Sequence, residues 1–239
     1  YVKSSPTEFE DFSRKVAEES ITLLKNEGNC LPLKKEQKVL LTGPMSDSLS
    51  MVNGAWSRTW QGQDEHRNNP EKNTVLDALK IVNANIDYAP GCTLTELKTD
   101  KAWEEKVKAS DVVIACLGEL PGTEKPGDVH ELVMDEAQLK YIEHLSTFGK
   151  EIVLILFESR PRIINRIVDL CGGIIHAYFP SEEGTLALAD ILYGNVNPSG
   201  KLPYTYPRYA NTLLTYDFKI TADLNENYEL NGFKPQFEF

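Results

Sequence analysis

Basic residues are scarce in this chain. Lys and Arg number 25 against 36 Asp and Glu, a net charge of -11 over 239 residues. Nucleic-acid backbones and anionic lipid surfaces recruit basic faces, so neither nucleic acid nor a membrane is expected as a partner. Long apolar runs are missing too: no window of about 18 consecutive apolar residues occurs, the length that a membrane-spanning helix needs. Cysteine is sparse. Cys30, Cys92, Cys116 and Cys171 lie far apart with no C-x-x-C pair, which excludes a zinc ribbon or a thioredoxin-type site. A chain of this size needs no disulfide to hold a core. The histidines His66, His130, His144 and His176 show no metal-ligand spacing. The glycine-rich signatures of dinucleotide and phosphate binding and the G-x-S-x-G of serine hydrolases are absent. No metal or cofactor is implied. Tyr1 to Pro6 hold neither an initiator Met nor an apolar leader core, as in a processed or trimmed chain.

What is present is the pattern of a globular α/β protein. Hydrophobic residues make up 41% and charged residues 26%, near globular averages, and the length fits one large domain or two small ones with a sizeable core. Ser5-Pro6-Thr7-Glu8 reads as a capping box, and Phe9, Phe12, Val16, Ser20, Leu23 and Leu24 follow at helical spacing to about Asn26. Short apolar strands are expected at Val39–Gly43, Ile86–Pro90, Asp111–Gly118, Ile152–Phe157 and Gly173–Tyr178. Helices are expected from Thr74, at Trp103–Ala109, after a cap at Asp135, at Arg162–Asp169 and at Glu182–Tyr193. Strands apolar on both faces, alternating with amphipathic helices, imply a parallel sheet covered on both sides. The chain is short for a closed barrel of eight βα units. From about Pro203 the chain is rich in Tyr, Pro and Asn, and reads as extended chain packed on the domain. Pro235 argues against a central strand near the end.

In an open parallel sheet, ligands bind beyond the carboxyl ends of the strands. Two long loops are expected there. One runs from Gly43 to about Asn73 and contains Trp56, Arg58, Trp60 and Gln61. The two tryptophans form either a local mini-core or an aromatic platform for a sugar face, with Arg58 and Gln61 as donors. The other follows Gly118 and gathers Glu119, Glu124, Asp128 and Glu131 among Pro and Gly. It is either a solvated acidic loop or the carrier of a general acid, and spacing alone does not choose among the four carboxylates.

At these residues the chain resembles the second, α/β sandwich domain of glycoside hydrolase family 3, the β-glucosidase and exo-β-glucanase group. The resemblance rests on Ala17–Gly28 with Leu31-Pro32-Leu33, on Tyr88–Cys92, on Ser159-Arg160-Pro161-Arg162, and most specifically on Asn197–Pro207. It implies a flavodoxin-like three-layer sandwich, α/β, with a mostly parallel sheet of about six strands and helices on both faces. The whole of 1–239 would be this one domain, with an irregular tail from about 208. The N-terminal (β/α)8 barrel and the fibronectin-like third domain of the family would lie outside it.

The resemblance also implies roles. The family loop G-E-x-P-x-x-E-x-x-G-D lies on Gly118 through Asp128, which makes Glu124 the acid/base, with Glu119 as fallback. Trp60-Gln61-Gly62 matches a triplet whose Trp clamps the acceptor sugar. Trp56 and Arg58 are further candidate sugar contacts. The nucleophile, an Asp, would sit on the barrel. The expected function is the acid/base and acceptor-subsite half of a retaining β-glucosidase that removes terminal β-linked glucose from oligosaccharides or glucosides. The isolated chain is expected to be inactive because the barrel nucleophile is missing, and its acid loop is expected to be unbraced and solvated without the barrel. The alternatives are a non-catalytic sugar-binding or barrel-stabilising module, and β-xylosidase-type specificity. Family members are commonly periplasmic or secreted. Two departures stand out: Gly122, where an aromatic is common, and Ser181, where Gly is.

Overall fold

The computed structural model describes residues 6–210 and 239. Helices α1 (Pro6–Ser20), α2 (Ser50–Asn53), α3 (Val75–Val82), α4 (Lys101–Ala109), α5 (Glu136–Ser146) and α6 (Ser181–Leu192) surround strands β1 (Thr22–Asn26), β2 (Val39–Thr42), β3 (Ile86–Tyr88), β4 (Val112–Gly118), β5 (Glu151–Phe157) and β6 (Gly173–His176). The six strands form one sheet in the order β1-β6-β5-β4-β2-β3. All pairings are parallel except that of β1 with β6. This is the mostly parallel α/β sandwich expected from the sequence.

The apolar strands divide their side chains between two cores. Along β4, Val112, Ile114 and Cys116 pack on the face covered by α1, α3 and α6, while Val113, Ala115 and Leu117 pack on the face covered by α4 and α5. Alternation of period two, apolar on both sides, is why these strands read as unbroken hydrophobic runs. Local signals set the helix ends. Thr74 Oγ1 accepts from the Asp77 amide while the Asp77 carboxylate accepts from the Thr74 amide, a capping box that starts α3. α5 begins where expected, but the Asp135 carboxylate makes no capping hydrogen bond.

Two elements depart from the sequence reading. The first helix does not reach Asn26. It stops at Ser20, and Thr22–Asn26 becomes the edge strand β1. Ile21 and Thr22 are β-branched, which weakens a helix, and the edge of β6 offers backbone partners to a strand but none to a helix. The buried face of α1 is therefore Ala17 with the following Ile21, while Phe9, Phe12 and Val16 are exposed in this chain. The Arg162–Asp169 stretch is not a helix either. Ile163 bridges to Val133 in parallel, and only Val168–Leu170 forms a short 3-10 turn. Here the backbone bonds of Ile163 to Leu132 and Met134 outcompete local helix closure. The capping box at Ser5 and most of the tail, 211–238, including Pro235, lie outside the described residues. Among the described residues, no helix is long and apolar enough to cross a membrane.

Candidate active site

The strand order reverses between β2 and β4: β3 lies outside β2, and β4 returns to its other side. Such a switch point opens a crevice at the carboxyl ends of the strands, because the two connections leave in opposite directions. Both long loops start there, from Gly43 after β2 and from Gly118 after β4. Gly43 has φ +98, and a Cβ on it would stand 2.2 Å from the Cys116 carbonyl oxygen. The glycine thus lets the first loop leave against the neighbouring strand.

The tryptophan loop does not bury its rings. Trp56 is 66% and Trp60 46% exposed, so they form no mini-core. The ring centroids are 6.5 Å apart at 52°. The turn is closed by the Trp56 amide donating to the Trp60 carbonyl at 3.0 Å. Gly62, at φ +75, brings the chain back so closely that a Cβ would be 2.1 Å from the Gly54 carbonyl oxygen. Exposed aromatic faces held on a tight backbone are available for stacking.

Arg58 is already occupied. Its Nε and Nη2 donate to Glu182 at 2.6 to 3.1 Å, tying the loop to the first turn of α6. Gln61, expected as a sugar donor, is occupied as well. Its Nε2 donates to the Thr123 carbonyl at 3.1 Å, and its Oε1 accepts from the Thr123 amide at 3.0 Å. Gln63 Nε2 donates to the Pro121 carbonyl at 2.7 Å, and Trp56 Nε1 donates to Thr123 Oγ1 at 3.1 Å. The acid loop is therefore braced by the tryptophan loop within this chain, contrary to the expectation of an unbraced loop. Gly122 lets the acid loop fold closely on itself. It backs onto Gly127, where a Cβ on either would meet the other's backbone at 3.2 and 2.8 Å.

The carboxylates of the acid loop differ sharply in environment. Glu119 is buried. Its Oε1 accepts from the Ser159 amide at 3.0 Å, the Ser159 hydroxyl at 2.9 Å and the Arg160 amide at 3.2 Å, and its Oε2 faces the Arg160 guanidinium at 2.8 Å. Such a carboxylate binds β4's loop to the Ser159–Arg162 segment after β5. Glu124 is exposed, with φ 53 and ψ -157, a left-handed conformation unusual for a side chain larger than Gly. It opens a 3-10 turn whose Gly127 amide donates to the Glu124 carbonyl at 2.9 Å and the Thr123 carbonyl at 3.1 Å.

Beneath the loops lies a polar cluster that the sequence reading did not identify. Glu158, just after β5, is fully buried beside Arg162, His176, Tyr204 and Tyr206. The Tyr206 hydroxyl oxygen is 2.7 Å from Glu158 Oε1 and 2.6 Å from the Arg162 carbonyl. A hydroxyl has one proton and a carbonyl can only accept, so both contacts are best satisfied with the carboxyl protonated and donating to the tyrosine oxygen. Desolvation points the same way: burial raises the Glu158 carboxyl to about 8, with nearby Glu119 adding to the rise. His176 is 3.6 Å away. Its Nδ1 accepts from the Tyr178 amide at 3.1 Å, leaving the proton on Nε2, which is 2.8 Å from the Tyr204 hydroxyl. Burial lowers this imidazole to about 3. Tyr204 and Tyr206 stand in the Asn197–Pro207 segment. Their alternating spacing, with the Pro residues around them, was the available signal that this segment packs on the domain.

Fold and site together define an α/β domain that presents a carboxylate and aromatic rings at a switch-point crevice. Residues 21–239 match the glycosyl hydrolase family 3 C-terminal domain, and the chain belongs to that family. It is 43% identical over 202 residues to the lysosomal beta glucosidase of Dictyostelium discoideum, covering 80% of this chain and 25% of that protein. It is 32% identical over 249 residues to the periplasmic beta-glucosidase of Salmonella typhimurium, covering 93% and 31%. Other relatives are named as β-xylosidases. The crystal structure of beta-glucosidase from Listeria innocua superposes with a TM-score of 0.75 at 29% identity, over 86% of this chain and 28% of that one. The chain thus spans about a quarter to a third of the length of these relatives. The positive φ of Ser181, 67°, gives the physical reason for glycine at that position in the family pattern.

Proposed function

We propose that this chain is the acid/base and acceptor-subsite half of a retaining β-glucosidase, completed by a (β/α)8 barrel in the same polypeptide. One observation carries the reading: the exposed Glu124 and the exposed Trp56 and Trp60 rings are carried on two loops hydrogen-bonded to each other at the switch point. Glu124 protonates the glycosidic oxygen as an Asp of the barrel attacks the anomeric carbon. The sugar–oxygen bond breaks and a glycosyl-enzyme forms. Glu124, now a carboxylate, then takes a proton from water, whose oxygen displaces the barrel Asp. Trp60 stacks on the acceptor sugar, with Trp56 beside it. Arg58 acts indirectly, by holding the loop to Glu182. Glu119 is the weaker candidate for the acid, because its oxygens are already engaged by Ser159, Arg160 and Arg162.

Without the barrel the nucleophile is missing, so the chain alone has no turnover. The substrate is a β-linked glucoside or oligosaccharide, and the enzyme works in the periplasm or outside the cell. The test is Glu124→Ala in the barrel-containing enzyme, assayed on an activated aryl β-glucoside with and without azide. The expected result is a loss of about 100-fold or more in kcat, with part of it restored by azide as the glycosyl azide forms. Near-normal turnover refutes the assignment and leaves the domain as a support or sugar-binding module. Preference for the aryl xyloside over the glucoside refutes the sugar.

A further inference from the structure

We infer that Gln61 is a positioning residue for Glu124, so that the loop carrying the sugar-stacking tryptophans also sets the reach of the proton donor. This inference rests on the acid/base reading of Glu124. Glu124 occupies a left-handed backbone conformation at φ 53, which a non-glycine residue keeps only when its surroundings hold it there. Its carboxylate has no hydrogen bond to the described residues that would orient it from the side-chain end, in contrast to Glu119. What holds it is its neighbour. Thr123 receives two bonds from a single planar amide, Gln61 Nε2 to its carbonyl at 3.1 Å and its own amide to Gln61 Oε1 at 3.0 Å. Two antiparallel bonds to one amide fix the peptide groups on both sides of Thr123, and with them the direction in which the Glu124 Cα–Cβ bond leaves the loop.

The Gly127 amide closes the turn from within the loop, on the Thr123 and Glu124 carbonyls, and the other contacts from the tryptophan loop are weaker in kind. Trp56 Nε1 reaches the Thr123 hydroxyl, not its backbone, and Gln63 holds Pro121, three residues from Glu124. Gln61 follows Trp60 directly, so the side chain that clamps Thr123 is carried by the residue next to the sugar-facing ring. General acid catalysis needs the donor within hydrogen-bond reach of the leaving oxygen, and a displacement near 1 Å costs on the order of 100-fold.

The experiment uses the barrel-containing enzyme with Gln61→Ala and Gln61→Glu. Glutamate keeps the acceptor for the Thr123 amide but places an oxygen against the Thr123 carbonyl. Two substrates are compared: a disaccharide, whose leaving oxygen requires protonation, and 2,4-dinitrophenyl β-glucoside, whose leaving group does not. The expected result is a fall of about 10- to 100-fold in kcat/KM for the disaccharide, with kcat/KM for the dinitrophenyl glucoside within about threefold of wild type. Equal losses on both substrates, or no loss on either, overturn the inference. Glu124→Ala run alongside separates the two claims. If that variant lacks the same leaving-group dependence and azide rescue, the acid/base reading fails. If it shows both and the Gln61 variants do not, only the positioning role fails. Should the Gln61 variants lose their fold in the full enzyme, amide exchange at Thr123 in the 239-residue chain decides: protection retained in Gln61→Ala, which removes the acceptor of that amide, refutes the clamp.

Discussion

The buried pair Glu158 and His176 makes the pH dependence of stability of this chain calculable in shape. In the fold the Glu158 carboxyl is raised from 4.5 to about 8 and the His176 imidazole lowered from 6.5 to about 3, both chiefly by desolvation. For a raised group the folded state holds the extra proton. Stability from Glu158 is full below about pH 4.5 and is lost as pH rises toward about 8. For a lowered group the unfolded state holds the extra proton. Stability from His176 is full above about pH 6.5 and is lost as pH falls toward about 3. Each contributes a slope of about 1.4 kcal/mol per pH unit inside its window, of opposite sign. Between about pH 4.5 and 6.5 the two cancel, and from 6.5 to 8 the Glu158 slope stands alone, taking away about 2 kcal/mol. Glu158→Gln has the shape of the protonated acid and does not titrate. The free energy from urea unfolding, measured from pH 5 to 8, is therefore expected to fall for the wild type relative to the variant by about 1.4 kcal/mol per pH unit. Titrating groups remote from Glu158 are common to both proteins and drop out of the difference. Parallel curves would refute the reasoning, because they would mean that Glu158 is ionised in the fold and held by Arg162.

Two further outcomes follow from the loops. Gly43→Ala is expected to cost about 3 kcal/mol or more, since the new Cβ meets the Cys116 carbonyl in a backbone of positive φ; an unchanged urea midpoint would rule this out. Trp60→Ala in the barrel-containing enzyme is expected to leave the melting temperature nearly unchanged, because the ring is half exposed. Its kcat/KM on a disaccharide should drop about 3- to 10-fold, the worth of one aromatic contact; equal losses in stability and activity would point back to a packing role.

Much of this molecule could be read without coordinates. Val112–Gly118 and Glu151–Phe157 are apolar at every interior position, and only a strand covered on both faces uses such a run. The family resemblance, not the spacing, singled out Glu124 and Trp60-Gln61-Gly62 as candidates. The end of the first helix departs from the sequence reading because helical spacing and β-branching coexist at Val16–Leu24, and the choice fell to β6, whose edge lies about 150 residues away. The same holds for Arg162–Asp169, where Val133 supplied the competing partner.

The sequence by itself determined the alternation of strands and helices, the two long loops and the residue types on them, because these follow from periodicity and from local backbone chemistry. Only the tertiary structure decided which side chains were still available for chemistry. Arg58, Gln61 and Glu119 are all polar residues in candidate loops, yet each is consumed by a partner distant in sequence: Glu182, Thr123 and Arg160. Glu158, His176 and Tyr206 are equally ordinary in the sequence, and become a neutral buried network because three separate segments fold over them. Hydrogen bonding and desolvation are set by neighbours in space, which one-dimensional spacing does not specify.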